Sequence, residues 1–208
     1  MAGGERVVLV TGAAKRVGAE IARTLHGAGV TVALHYRNSV TQAESLAREL
    51  CAVRSGSASV FQADLRVVGT PEALVEATLA RYGRLDGLVN NASSFFPTAL
   101  GRIDEGAWDD LVGSNLKAPL FLMQAAAAAL ARAGGAVVNI VDIHAERPLA
   151  GYPVYCAAKA GLLGLTRAMA VEMAPRVRVN LQNLSLRLLE FSDIQLFNAQ
   201  STCEAVFS

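Results

Sequence analysis

Cysteine is scarce in this chain of 208 residues, and neither sign of charge dominates. The three cysteines, Cys51, Cys156 and Cys203, form no CxxC pair and no metal-ligand spacing, so we expect no metal site and a reducing compartment. Lys and Arg number 19 against 18 Asp and Glu, a formal charge of +1. This balance gives no electrostatic reason to expect a nucleic-acid partner or an anionic membrane.

A long uninterrupted apolar run is also missing. The apolar stretch at 116–131 contains Lys117, Pro119 and Gln124, and it is too short to span a bilayer. The first ten residues lead directly into a strand pattern without a signal-peptide pattern. We therefore expect a cytoplasmic protein with no membrane partner. Apolar residues make up 52% of the chain and charged residues 18%, which is typical of a globular domain.

Short β-branched runs alternate with longer segments of helical period. The runs predict strands over residues 6–10, 30–34, 58–62, 86–90, 136–141 and 177–180. The helical segments are 17–27, 40–53, 70–82, 107–133 and 153–174, and Thr70 before Pro71 is predicted to cap the third of them. This alternation predicts an α/β fold, a doubly wound, Rossmann-like parallel sheet in one domain over residues 1–180. Ligands of such sheets bind beyond the carboxyl ends of the strands.

The last 28 residues have a different composition. All 18 glycines and all 6 prolines precede residue 180, and the stretch 181–208 has no clean hydrophobic period. We therefore separate an atypical C-terminal tail, 181–208, from the domain.

The turn after the first strand has the pattern of a dinucleotide site. It reads TGAAKRVG over residues 11–18, where Gly12 permits a tight turn and Gly18 allows close packing of helix on strand. The helix that begins there presents free N–H groups to a pyrophosphate. A glycine-rich turn without a ligand stays open as the alternative.

The end of the second strand lacks the carboxylate that NAD-binding domains place on the ribose. The residues there are His35, Tyr36, Arg37, Asn38 and Ser39. An arginine with two hydrogen-bonding neighbours suits a 2′-phosphate, which a carboxylate would repel. The basic pair Lys15-Arg16 adds positive charge from the first turn, so we predict NADPH as cofactor. Arg37 as an ordinary solvated arginine is the alternative.

A group of polar residues around the fifth strand carries the candidate chemistry. Tyr155 and Lys159 are four residues apart and share one helix face, where an ammonium group favours the phenolate and lowers the pKa of the phenol. Asp142 stands at the carboxyl end of the strand, and Asn115 interrupts an otherwise apolar helix. Asn115 could hold a water for proton relay or be a satisfied core amide.

Together these residues resemble the short-chain dehydrogenase/reductase family, and within it the pteridine reductases. The resemblance covers residues 6–180. The family's usual middle glycine is replaced by Arg16, Ser93 stands where NNAG has its last glycine, and Asp142 stands at the usual serine position. The pteridine reductases share these departures, together with the HYRNS sequence that ends the second strand.

The resemblance implies roles for further residues. Asp64 and Leu65 would hold the adenine, and Asn91, Ala92 and Ser93 would line the nicotinamide side. Val17, Tyr155 and Lys159 would also contact the cofactor. Phe95 would stack on a pterin ring, with Phe96 as the alternative ligand face. The implied substrate-binding set is Arg16, Ser93, Phe95, Asp142 and Tyr155.

The resulting hypothesis is NADPH-dependent reduction of a pteridine, with Tyr155 as proton donor and Lys159 tuning it. A reductase of another carbonyl, such as a 3-oxoacyl thioester, and a non-catalytic nucleotide-binding homologue are the alternatives. After residue 180 the family's Pro-Gly turn, substrate-covering loop and final strand have no counterpart in the sequence. We therefore expect impaired activity, and the family's usual homo-tetramer is in doubt.

Overall fold

The computed structural model describes residues 5–184. The tail predicted for 181–208 therefore lies outside the described residues from 185 onward. Within the described residues, six strands form one parallel sheet in the order β3-β2-β1-β4-β5-β6. The strands are β1 (Val7–Val10), β2 (Thr31–Tyr36), β3 (Ala58–Gln62), β4 (Gly87–Asn90), β5 (Ala136–Asp142) and β6 (Arg178–Leu184). The predicted α/β, doubly wound parallel fold is confirmed.

Helices connect the strands on both faces of the sheet. They are α1 (Arg16–Gly27), α2 (Val40–Val53), α3 (Thr70–Tyr82), α4 (Glu105–Val112), α5 (Ala118–Ala133) and α6 (Pro153–Met173). By length and apolar composition α6 could also cross a membrane, but this is weak evidence, because a core helix of a soluble domain passes the same test. In this fold α6 packs against β5 and β6.

Both faces of the sheet are buried, which explains why the strands read as continuous apolar runs. Along β1, Val8 and Val10 belong to the core on the α1 and α2 side. Leu9 between them belongs to the core on the side of α3 and α5. Successive side chains of a strand point to opposite faces, so one short apolar strand supplies both cores.

Two strands end two or more residues beyond their predicted limits, and β5 ends one residue beyond, at Asp142. β2 reaches Tyr36 instead of residue 34, which places His35 and Tyr36 inside the sheet. β6 runs to Leu184 instead of ending at residue 180, and it pairs with β5 until Leu184 meets Asp142. The residues LQNL that close β6 lack an apolar pattern, and their hydrogen bonds to β5 make them a strand.

The range 107–133 is helical as predicted, but it is not one regular α-helix. It consists of α4, a π-helical segment Gly113–Lys117, and α5. A π-helical turn holds one more residue than an α-helical turn. Ser114 and Asn115 lie in this wider turn, where their side chains bond to nearby backbone and to each other.

The predicted cap of α3 is also shifted. Thr70 is already helical, and Gly69 precedes it with a φ of 81°. Pro71 still occupies the first turn, where its missing N–H leaves no hydrogen bond unmade.

The first turn and the loop after β4 are joined by hydrogen bonds at the switch point of the sheet. The Thr11 hydroxyl accepts the backbone N–H groups of Asn91 and Ala92, both at 2.9 Å. The Asn91 amide donates to the carbonyl oxygens of Thr11 and Gly12, at 2.9 and 3.2 Å. These bonds hold the turn after β1 against the chain that leaves β4.

Glycine is required at two positions of this junction. Gly12 has a φ of 63°, and a Cβ there would lie 2.9 Å from the Cα of Ala92. A Cβ on Gly18 would lie 2.2 Å from the Gly12 carbonyl oxygen and 2.5 Å from Asn91 Nδ2. The close packing of helix on strand that the sequence predicted for Gly18 is therefore present.

Replacing Gly18 with Ala should lower the free energy of unfolding by about 1 to 3 kcal/mol, because the new methyl group overlaps backbone that has little room to move. Gly27→Ala in the same helix is the matched control, since a Cβ there meets nothing within 4 Å. The control should be unchanged or more stable by up to about 1 kcal/mol. Chemical denaturation of both variants measures the effect, and equal stabilities would contradict it.

Candidate active site

A cavity of about 400 Å³ lies at the carboxyl edge of β1, β2 and β3. It contains most of the residues that the sequence predicted to bind the cofactor. These are Gly12, Lys15, His35, Tyr36, Arg37, Asn38, Ser39, Asp64, Leu65, Ala92 and Ser93. Five further lining residues were not predicted from the sequence, namely Ala14, Ala63, Arg66, Ser94 and Ser114. Ser114 comes from the π-helical segment, which the sequence did not predict.

His35 lines this cavity, but both ring nitrogens bond to backbone. Its Nδ1 accepts the N–H of Gly12 at 3.1 Å, and its Nε2 lies 3.1 Å from the Ala63 carbonyl oxygen. A carbonyl only accepts, so Nε2 carries the hydrogen and the ring is neutral. Burial lowers the pKa of His35 to about 4, which agrees with this assignment. His35 therefore holds the first turn against the loop after β3.

The charges at the adenosine end are more mixed than the sequence predicted. Arg66 donates to Asp64 through Nε at 2.9 Å and also binds Asp110 of α4. The bond from Arg66 lowers the pKa of the Asp64 carboxyl to about 2. Arg37 Nη1 lies 4.0 Å from Asp110 Oδ2. A carboxylate of α4 therefore stands near Arg37, and Arg66 binds the same carboxylate.

The start of α1 has the features of an anion site. No side chain caps this helix, and its first turn contains no acid. Its leading N–H groups and the positive end of the helix dipole are thus left for an anion. Arg16 has a φ of 51°, a left-handed conformation that is uncommon outside glycine. Arg16 therefore strains the backbone at this position, where the family that the sequence resembles usually has glycine. These features fit a dinucleotide pyrophosphate.

A second cavity of about 250 Å³ adjoins the first and holds the candidate reaction centre. Its lining combines the first turn with the ends of β4 and β5 and one face of α6. The lining residues are Gly12, Lys15, Arg16, Val17, Gly18, Asn91, Ala92, Ser93, Ile140, Val141, Asp142, Tyr155 and Lys159. Asp142, Tyr155 and Lys159, which are predicted to act together, therefore share one cavity.

Tyr155 and Asp142 are directly bonded. The Tyr155 hydroxyl donates to Asp142 Oδ2 at 3.0 Å. Burial, and after it the charge and hydrogen bond of Asp142, raise the pKa of Tyr155 above its ordinary value. The sequence predicted that Lys159 lowers this pKa, but burial and the Asp142 carboxylate raise it in this arrangement. Tyr155 is thus held as a neutral phenol.

Lys159 lies beneath this pair and is almost fully buried. Its Nζ donates to the Ile140 carbonyl oxygen at 2.9 Å and lies 5.8 Å from the centre of the Tyr155 ring. Burial lowers the pKa of Lys159 to about 8, and the charge of Asp142 opposes this shift. The ammonium therefore loses its proton far more easily than an exposed lysine does.

Asn115 is a fully bonded amide. Its Nδ2 donates to the carbonyl oxygens of Ser94 and Leu111, both at 2.9 Å, and its Oδ1 accepts the Ser93 hydroxyl at 2.7 Å. Asn115 lines neither cavity. Through Ser93, which lines both cavities, it positions the loop after β4.

The two phenylalanines predicted as alternative ligand faces have different surroundings. Phe96 is partly buried against Leu111, Val154 and Tyr155. Phe95 is 54% exposed and stacks on Tyr152 with ring centres 4.7 Å apart. Its ring also meets Tyr155 edge-on at 4.8 Å. The exposed ring that adjoins the phenol is therefore Phe95. Its stacking partner Tyr152 was not predicted from the sequence.

Within the described residues, no three His, Cys, Asp or Glu side chains come together as a metal site.

Comparison with known proteins gives one family match and three similar proteins. The short chain dehydrogenase profile matches residues 6–186. Pteridine reductase 1 of Leishmania tarentolae is 43% identical in an alignment 213 residues long, which covers 84% of this chain and 74% of that protein. A 3-oxoacyl-acyl-carrier-protein reductase of Staphylococcus aureus is 34% identical over 169 residues, which cover 81% and 68%. A short-chain dehydrogenase/reductase of Cladobotryum sp is 35% identical over 178 residues, which cover 84% and 67%.

The buried lysine should make stability depend on pH. Folding lowers the pKa of Lys159 from 10.5 to about 8, so between these values the unfolded chain binds more protons. The free energy of unfolding should therefore rise across this window relative to a Lys159→Met variant. Below about pH 8 the full cost of burying the charged lysine lowers the stability of the folded chain.

Denaturant unfolding of both proteins from about pH 7 to 10.5 measures this difference. Lys117→Met, at an exposed lysine, is the matched control and should show a flat difference from the parent. A flat difference for Lys159→Met as well would contradict the prediction.

Proposed function

Because the chain belongs to the short-chain dehydrogenase family, we propose that it is an NADPH-dependent reductase whose substrate is a pteridine, such as a dihydropterin. The observation that carries this proposal is the Asp142–Tyr155 hydrogen bond in the smaller cavity, which adjoins the cavity of about 400 Å³. A carboxylate at this place can accept N–H groups of a flat heterocycle, which a serine hydroxyl does less well.

The lining of the larger cavity, of about 400 Å³, supports NADPH as the cofactor. Arg37, Asn38 and Ser39 follow β2 along the cavity wall, and no acid follows β2 directly. Lys15 adds a cation from the first turn. Arg66 also binds Asp110, so Arg37 is not the sole cation beside that carboxylate and could turn to a 2′-phosphate. A bound NADPH would supply the hydride.

The protein's own residues would supply the proton. Tyr155 holds its proton because burial and Asp142 disfavour the phenolate, and it would release that proton as negative charge develops on the reduced C=N group. The buried Lys159 would place a positive charge near the phenolate that forms. Asp142 would orient the phenol before transfer.

The aromatic wall supports a flat substrate. Phe95, backed by Tyr152, presents an exposed ring beside Tyr155. A planar heterocycle can stack on such a ring, while an acyl chain gains little from it. The second candidate, reduction of a 3-oxoacyl thioester, is favoured by the 34% identity to a reductase of that name.

Tyr155→Phe should reduce turnover of a dihydropterin with NADPH by about 10² or more, because the ring remains but the acid is lost. NADPH affinity, measured by fluorescence titration, should stay within about threefold of the parent. Tyr82→Phe is the control, since Tyr82 lines neither of the two cavities. Full activity of Tyr155→Phe would remove this residue from the mechanism.

The same assays should include a 3-oxoacyl thioester beside the dihydropterin. Faster reduction of the thioester would favour the second candidate. NADPH binding without turnover of either substrate would favour a nucleotide-binding homologue.

Arg37→Gln should lower kcat/KM for NADPH by about 10- to 100-fold, because a charge-assisted hydrogen bond to phosphate is lost. The value for NADH should change by less than about threefold. Arg48→Gln, at an exposed arginine of α2, is the control. An equal loss with both cofactors would mean that Arg37 does not read the 2′-phosphate.

A further inference from the structure

One titratable side chain beside the reaction centre has no role in the proposed mechanism. His144 lies in the 3-10 turn Ile143–Ala145, which follows β5. Its Nε2 lies 3.9 Å from Asp142 Oδ1, and its backbone N–H donates to the same oxygen at 2.9 Å. Asp142 Oδ2 accepts the Tyr155 hydroxyl. The carboxylate therefore stands between an imidazole and the phenol, with one oxygen toward each.

The tautomer of His144 follows from its second contact. Its Nδ1 lies 3.0 Å from the Arg147 carbonyl oxygen, which only accepts, so Nδ1 carries a hydrogen. In the neutral ring Nε2 then presents a lone pair toward the carboxylate. In the imidazolium it presents an N–H. The arrangement is therefore complementary to the protonated ring.

We propose that His144 is a positioning residue that sets the effective charge of Asp142 and thereby how tightly Tyr155 holds its proton. This inference rests on the proposed function, because it concerns the same reaction. The protonated ring compensates the carboxylate, and the phenol then releases its proton more easily. When the ring is neutral, the uncompensated carboxylate holds the phenol proton more tightly.

Other charged and titratable groups surround the pair. Lys159 on α6 interacts with Asp142 from the buried side. The Sγ of Cys156 on α6 accepts the N–H of Leu149 in the same loop. The remaining described neighbours are Glu146 and Arg147 in the loop, and Lys15 and Arg16 across the cavity. Because these groups stay in place when only His144 changes, comparison of His144 variants isolates its contribution.

Histidine ordinarily changes charge between about pH 5 and 8, so the test is the pH profile of kcat in that window. With NADPH and a dihydropterin, the parent should lose about fivefold or more of its kcat as pH rises, because a phenol that holds its proton more tightly is a poorer general acid. His144→Gln should lack this step and stay at the lower rate. His144→Lys, which keeps a cation, should hold the higher rate to higher pH. Glu146→Gln, an exposed neighbour, should keep the parent profile.

If kcat of the parent and of His144→Gln depended on pH in the same way, the proposal would be overturned. A second measurement needs no substrate and follows the ring signals of the whole chain by NMR during a pH titration. The His144 signal, identified by its loss in His144→Gln, should titrate at lower pH in Asp142→Asn than in the parent, since coupling between two sites is reciprocal.

An unchanged His144 titration in Asp142→Asn would also overturn the proposal, whatever substrate the protein reduces. A shifted titration without any pteridine turnover would support the His144–Asp142 pair and count against the pteridine substrate. The two measurements therefore separate a failure of this inference from a failure of the proposed function.

Discussion

The hydrogen bonds around Thr11 are the constraint on which the site depends. The Thr11 hydroxyl accepts two backbone N–H groups from the chain that leaves β4, and the Asn91 side chain closes the junction from the other side. This is the point where strand order reverses, with β2 on one side of β1 and β4 on the other. Parallel sheets open a crevice at such a point, and both cavities border this junction.

Most of the architecture could be predicted because the sheet is buried on both faces. Continuous apolar runs such as residues 136–141 identify strands without help from tertiary contacts. The strand ends that were predicted wrongly are those determined by pairing with a neighbouring strand. His35 and Tyr36 are in β2 because of pairing with β3, and the end of β6 follows β5 in register. The π-helical segment replaces one regular helix at Ser114 and Asn115, whose polar side chains bond to nearby backbone and to each other.

The candidate site divides in the same way. Motif spacing predicts that Asp142, Tyr155 and Lys159 meet, since a strand end and one helix face determine their places. The sign of the pKa shift on Tyr155 could not be predicted, because it depends on burial and on the contact with Asp142. The bond from Arg66 to Asp110 joins residues 44 positions apart, so no local pattern reveals it. Tyr152 shows its importance only through its stacking on Phe95.

The uncapped start of α1 also has a thermodynamic consequence. Neither a capping side chain nor an acidic residue of the first turn satisfies the leading N–H groups of this helix, so an anion that binds there completes the helix. A ligand that binds only the folded chain raises its resistance to unfolding by mass action. If the proposed dinucleotide is that anion, the melting temperature of this domain should rise with the dinucleotide concentration, and a cell that depletes its dinucleotide would contain a less stable protein.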